Sequence, residues 1–254
     1  MTAQSMTDAI RSPKRAGRPA LVSYITAGYP TLDGFAAQLQ AVCDVSDVVE
    51  VGIPFSDPMA DGPTIQLSSQ KALENGVSVK WVLDLLEKTE RSAPVLLFGY
   101  LNPLLAFGFE ALAKRCAEVG VSGFIIPDLP FEESDEFRAA IEPHGLGLVQ
   151  LVTPVTPIER AATLAHASGG FLYAVTRTGI TGSGTLPDSL AGYLAALREA
   201  SPVPVCAGFG IRTAETVQVI EPHADGVVVG SALIEVLGRG DDPQVFLNGL
   251  METS

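Results

Sequence analysis

Between Val49 and Pro63 the chain sets three carboxylates, Glu50, Asp57 and Asp61, in and beside one loop. Pro54, Pro58 and Pro63, with Gly52 and Gly62, keep that loop out of regular structure. Glu50 sits in the apolar run 48–51, which reads as a buried strand. A carboxylate there is costly if charged and unpaired, so two readings stand. Either backbone groups or a hydroxyl satisfy Glu50 as an ordinary buried acid, or the strand holds it for proton transfer with a perturbed pKa.

The elements that must position these groups alternate along the chain. Strands are expected at 20–26, 48–51, 95–99, 123–126, 148–152, 171–175, 203–207 and 226–229. Helical patterns lie between them, near 32–43, 64–75, 78–89, 109–119, 133–141, 157–167, 189–200, 213–220 and around 233–237. Continuous apolar strands alternating with amphipathic helices imply a parallel sheet buried on both faces. Eight such units in 254 residues fit a (β/α)8 TIM barrel, one domain over 1–254 with extra helical segments. A doubly wound sheet lacks support, because no Gly-x-Gly-x-x-Gly follows the first strand. Residues 1–19 read as a short or frayed N-terminal helix without the apolar core of a signal peptide, and no apolar run reaches membrane-spanning length.

In a barrel the chemistry belongs at the C-terminal ends of the strands. There the sequence places Tyr24, Thr26, Glu50, Tyr100, Asn102, Asp128, Thr153, Tyr173, Thr176, Gly208, Gly210, Gly230 and Ser231. All five lysines fall elsewhere, which leaves a Schiff-base aldolase without a nucleophile. His144, His166 and His223 sit where helices lead into the next strand, on the opposite face, so neither a histidine base nor a metal site is expected. Proton transfer is left to Glu50, Asp61, Asp57, Asp128 and the tyrosines.

A net charge of −13 argues against nucleic acid as a partner. An acidic chain binds an anion through local features such as backbone NH groups. Gly208-Phe209-Gly210 after strand seven and Gly230-Ser231 after strand eight stand where barrels commonly bind phosphate. The long glycine-rich loop from Thr176 to Pro187, with Arg177 as its single charge, reads either as a lid or as a surface connector. Three widely spaced cysteines suggest neither a disulfide framework nor a metal cluster, and a reducing, cytoplasmic setting is expected.

The stretch from Glu50 to Pro63, Glu-Val-Gly-Ile-Pro-Phe-Ser-Asp-Pro-Met-Ala-Asp-Gly-Pro, resembles the signature of the tryptophan synthase α-subunit family. Agreement continues through Tyr24-Ile-Thr-Ala-Gly-Tyr-Pro30, Tyr100-Leu-Asn-Pro103, Pro127-Asp-Leu-Pro130, Thr178-Gly-Ile-Thr-Gly182, Gly208-Phe-Gly-Ile211 and Gly230-Ser231, from about residue 20 to 240. The resemblance implies a lyase that splits indole-3-glycerol phosphate into indole and glyceraldehyde 3-phosphate. It also implies an α2β2 heterotetramer in which pyridoxal phosphate belongs to the β subunit and this chain has no cofactor.

On the same resemblance, Glu50 is the general acid/base and Asp61 holds the indole NH. Tyr24, Tyr100 and Leu129 line the indole pocket, Tyr173 lies beside the substrate, and Thr181 closes over the site and orients Asp61. Gly182, Gly208, Phe209, Gly210, Gly230 and Ser231 contact phosphate. The chemistry is coherent: protonating a weakly basic ring carbon needs a desolvated acid, and two carboxylates in unlike environments divide the roles. Tyr24 stands where many relatives carry Phe, Met59 where Leu is commoner, and Arg177 adds a charge. Asp57 is read as a turn cap or a partner contact. Another phosphate-sugar barrel enzyme, such as an isomerase, and a non-catalytic partner of the β subunit remain as alternatives.

Overall fold

The computed structural model describes residues 1–13, 17–175, 187–208 and 210–252. Eight parallel strands close into a barrel in chain order: β1 (Ala20–Thr26), β2 (Val48–Gly52), β3 (Val95–Phe98), β4 (Val121–Ile125), β5 (Gly147–Val152), β6 (Leu172–Val175), β7 (Val205–Gly208) and β8 (Gly226–Val229). Closure is made by β1 pairing with both β2 and β8. Branched and aliphatic residues dominate these strands because each packs helices outside and side chains inside. The helices that follow the strands are α2 (Leu32–Val45), α3 (Pro63–Glu74), α4 (Val79–Lys88), α5 (Leu101–Phe107), α6 (Phe109–Glu118), α7 (Asp135–Ile141), α8 (Ile158–Ala167), α9 (Asp188–Ala200), α10 (Ala214–Ile220), α11 (Ser231–Arg239) and α12 (Pro243–Leu250).

Two of these helices escaped the sequence reading. α5 begins inside Tyr100-Leu-Asn-Pro103, because a proline in the first helical turn sacrifices no intrahelical bond. Asp128 at the end of β4 accepts from the Leu101 amide at 2.9 Å and satisfies one of its free donors. α12 starts after Asp242, whose carboxylate accepts from the amides of Gln244 and Val245 at 2.7 and 3.3 Å. The segment expected as one helix over 133–141 instead opens with a 3-10 turn, Phe131–Glu133, before α7.

The core has two shells. The outer one fills the space between strands and helices, with Phe35, Leu39, Leu83, Leu97, Phe124 and Phe137 among its members. The inner one fills the barrel: Val22, Val48, Leu96, Ile125, Val149, Phe171, Cys206 and Val228 point inward, one from each strand or its immediate edge. Below this layer the N-terminal segment is not frayed. It forms α1 (Ala3–Arg11), which drives the fully buried Met6 and Ile10 against the inner shell. The Ala3 amide donates to Gly145 O at 2.9 Å, Thr7 Oγ1 to Gly170 O at 2.6 Å and Arg11 Nη2 to Pro202 O at 2.8 Å. A methyl group on Gly170 would lie 2.7 Å from the Met6 terminal carbon, so the helix and this turn fit closely.

α1 is therefore a stopper for the lower barrel mouth, and its apolar face supplies the stability that secures it. Met6→Ala is expected to cost about 2–5 kcal/mol in urea unfolding, the usual range for emptying a buried methionine site. A cost within experimental error would show that α1 does not seal the core.

Candidate active site

Glu50 is held at the centre of the upper barrel by its strand register. It stands opposite Tyr24 on β1 and Leu96 on β3, and all three alternate with outward-facing residues. Only 1 % of Glu50 is exposed, and its Oε1 has no hydrogen-bond partner among the described residues. Burial pushes its carboxyl up to about 8 from an ordinary 4.5. The bland reading, an acid satisfied by its neighbours, does not describe that oxygen.

Above Glu50 the barrel opens into a cavity of about 360 Å³. Tyr24, Glu50, Asp61 and Tyr173 line it together, with Phe98, Ile65 and Val228 supplying apolar wall. Tyr24 packs edge-on to Phe98 at 5.5 Å between ring centroids, and burial raises the pKa of its hydroxyl well above the ordinary tyrosine value. Its Oη accepts from Thr26 Oγ1 at 3.4 Å, and Thr26 in turn contacts Ser68 Oγ on α3 at 2.7 Å. Gly52 makes room for this ring, since a Cβ there would stand 2.1 Å from Tyr24 Oη. Gly208 does the same for Tyr173, whose ring would come within 2.9 Å of an added Cβ. Both glycines are thus required by packing against a tyrosine on the neighbouring strand.

Asp61 reaches the cavity from the β2–α3 loop. Tyr100 Oη donates to Asp61 Oδ2 at 3.1 Å and accepts from the Ala60 amide at 3.0 Å, while its ring stacks on Phe55 at 5.3 Å. Gln66 Nε2 on α3 donates to Asp61 O at 2.9 Å and ties the loop to the helix. Burial raises the Asp61 pKa and the Tyr100 hydroxyl draws it back. The two carboxylates therefore face one cavity in different surroundings, one without a partner at Oε1 and one held by a phenol.

At the far side of the cavity lie Gly208, Gly210, Gly230 and Ser231, the last being the first residue of α11. Free amides at a helix start favour an anion. Arg212 shares this rim and was missed in the sequence, although a lone arginine two positions after Gly210 was its signal. Leu129 is packed in the outer core, and Pro127 takes the lining position at the β4 end. Tyr100 acts through Asp61 and is not itself a lining residue among those described. Asp57 is exposed on the loop, accepting from Ser56 Oγ at 2.5 Å. Thr176, Arg177, Thr181, Gly182 and Phe209 lie outside the described residues. No group of three His, Cys, Asp or Glu side chains among the described residues is arranged to hold a metal ion.

Comparison with known proteins agrees with this geometry. The family model described as "Tryptophan synthase alpha chain" matches residues 10–252. The tryptophan synthase alpha chain of Nitratidesulfovibrio vulgaris (strain DP4) is 40% identical, covering 99% of this chain and 100% of its own. That of Laribacter hongkongensis is 45% identical over 87% of this chain and 86% of its own. Among solved structures, M. tuberculosis tryptophan synthase in an open form superposes with a TM-score of 0.87 at 31% identity, covering 98% of this chain and 97% of that one. The alpha subunit from Legionella pneumophila str. Paris gives 0.86 at 33% identity with the same coverage. With two unlike carboxylates over one cavity, and matched by the family model over residues 10–252, the chain belongs to the tryptophan synthase alpha chain family.

Proposed function

We propose that this chain carries out the alpha reaction of tryptophan synthase, the cleavage of indole-3-glycerol phosphate to indole and glyceraldehyde 3-phosphate, with Glu50 as general acid and then base. The observation that carries the assignment is the buried Glu50 carboxyl with its unpartnered Oε1, facing the same cavity as Asp61. Protonated Glu50 gives its proton to the ring carbon that bears the side chain. Asp61 accepts from the indole NH and stabilises the positive charge that develops on the ring. The carbon–carbon bond then breaks, its electrons restoring the aromatic ring. The neighbouring hydroxyl becomes a carbonyl and returns its proton to Glu50, which ends as it began. The amides around Gly210, Gly230 and Ser231 hold the phosphate and fix the reacting bond over Glu50.

No step of this scheme calls for a cofactor in the chain; pyridoxal phosphate belongs to the β subunit of an α2β2 assembly. Met59 at 80 % exposure and Leu67 at 64 % form an apolar surface beside Asp57, on the loop and helix that carry Asp61. Such a surface fits a protein partner. No helix among the described residues is long and apolar enough to cross a membrane, and Cys43, Cys116 and Cys206 are buried thiols. Both facts fit a cytoplasmic enzyme.

Indole release from indole-3-glycerol phosphate, measured with the chain alone and with a β subunit, tests the reading. A chain that raises β activity yet never releases indole would be a non-catalytic partner. Glu50→Gln is expected to abolish cleavage, at least a hundredfold by the usual contribution of a general acid. It should leave phosphate binding intact, whereas retained turnover would remove Glu50 from the mechanism. Asp61→Asn should likewise lose about a hundredfold or more, and a near-normal rate would dismiss its role.

Acidity gives a further test. Because the working form of free Glu50 is protonated, kcat/KM should fall as pH rises through about 8. The same shift governs stability. The folded state binds the Glu50 proton more tightly than the unfolded chain, so this contribution is complete below pH 4.5 and lost as pH rises through about 8. Relative to the wild type, Glu50→Gln should therefore gain stability across that window and level off above it. A difference that does not change with pH would contradict the raised pKa.

A further inference from the structure

Among the described residues that line the cavity, Arg212 is the sole cationic side chain. It follows Gly210 on the connection between β7 and α10, on the rim that Gly230 and Ser231 complete. In a chain of net charge −13, a cation at this place calls for an explanation. Its guanidinium is occupied by Glu235 on α11: Nη1 donates to Oε2 at 2.7 Å and Nη2 to Oε1 at 2.6 Å. Thr64 Oγ1 on α3 donates to the same Oε1 at 3.4 Å. Glu235 stands four residues after Ser231, one turn along α11 from the amides that begin the helix.

The pair is well formed but exposed, with 54 % of the Arg212 side chain and 33 % of the Glu235 side chain open to solvent. Its two-pronged geometry makes it stronger than most surface pairs, but its exposure leaves the guanidinium within reach of a competing acceptor. A phosphate monoester offers the guanidinium the same two-pronged acceptor with more charge. We propose that Arg212 selects the phosphate end of the substrate: Glu235 holds the guanidinium while the cavity is empty and gives it up to the phosphate seated on the Gly230–Ser231 amides. This rests on the lyase reading for the identity of the substrate, and on the rim geometry alone for the anion. Glu235 is then a competitor of the substrate phosphate, keeping the charge of Arg212 neutralised between turnovers.

A purely structural role, a staple joining the β7–α10 connection to α11, uses the same two hydrogen bonds and predicts the opposite for Glu235. As a staple, either half can be removed with the same harm. As a competitor, removing Glu235 frees Arg212 and tightens phosphate. Arg212→Ala, Arg212→Lys and Glu235→Gln in the full chain separate the two, with thermal unfolding to verify that each variant is folded. Titration calorimetry with inorganic phosphate and steady-state cleavage of indole-3-glycerol phosphate are the readouts.

Arg212→Ala should raise the phosphate Kd and the substrate KM roughly tenfold, the loss of one charge-assisted pair, with the smaller effect on kcat. Arg212→Lys should fall between, keeping the charge without the fork. Glu235→Gln should lower both constants below the wild-type values. An unchanged KM and Kd in Arg212→Ala overturns the proposal, as does a Glu235→Gln variant that weakens phosphate as Arg212→Ala does. If the wild type releases no indole while the phosphate affinities move as stated, the lyase reading fails and the anion site stands. If indole is released and Arg212→Ala changes neither constant, the lyase reading stands and Arg212 has no part in binding the phosphate.

Discussion

The structure depends on keeping one carboxyl group out of water. Glu50 is confined by the inner barrel, and desolvation alone accounts for its raised pKa. That requirement reaches outward in every direction. The lower barrel must be packed shut, which Val48, Leu96 and Phe171 do from the strands and Met6 from α1. The walls at the level of Glu50 must be aromatic, which Tyr24, Phe98 and Tyr173 provide. The second carboxylate must arrive from a loop, because a second acid on an adjacent strand would meet the same desolvation with a like charge beside it. Asp61 satisfies this by standing at the cavity edge, held by Tyr100 and by Gln66.

Most of the barrel was legible because its strands are short, apolar and punctuated, and β1 and β8 fell on the residues expected. Legibility failed where tertiary context overrides local pattern. α5 hides behind Pro103, which looks like a breaker until its position in the first turn is known. α1 was expected as a short or frayed helix and is a short one; its mostly polar sequence did not show that Met6 and Ile10 are buried against the barrel above it. A periodic pattern reports an amphipathic face; it does not report what that face meets.

The site divides in the same way. Glu50 stood out because an acid in an apolar strand violates the local rule, whereas Asp61 was set apart from Asp57 on the same loop only by the family resemblance. Gly208 was read as a ligand contact, and the structure adds a packing duty under Tyr173 that sequence offers no means of seeing. Asp128, a candidate for proton transfer, serves the start of α5 instead. Arg212 was overlooked because its meaning comes from Glu235, 23 residues away.

The two tyrosines that stand over glycines carry a consequence for how this pocket can change. Tyr24 occupies the volume that any side chain at residue 52 would need, and Tyr173 does so for residue 208. Each pair therefore behaves as one inherited unit, and its members cannot vary independently. A larger residue at 52 becomes admissible only after Tyr24 gives way, so the order of substitutions matters as much as their identity. Since Tyr24 and Gly52 are on β1 and β2, and Tyr173 and Gly208 on β6 and β7, the pocket is bounded on two sides by such locked steps. Diversification of the ring end of this cavity should then proceed through Phe98, Ile65 and Val228, which have no such reciprocal partner among the described glycines.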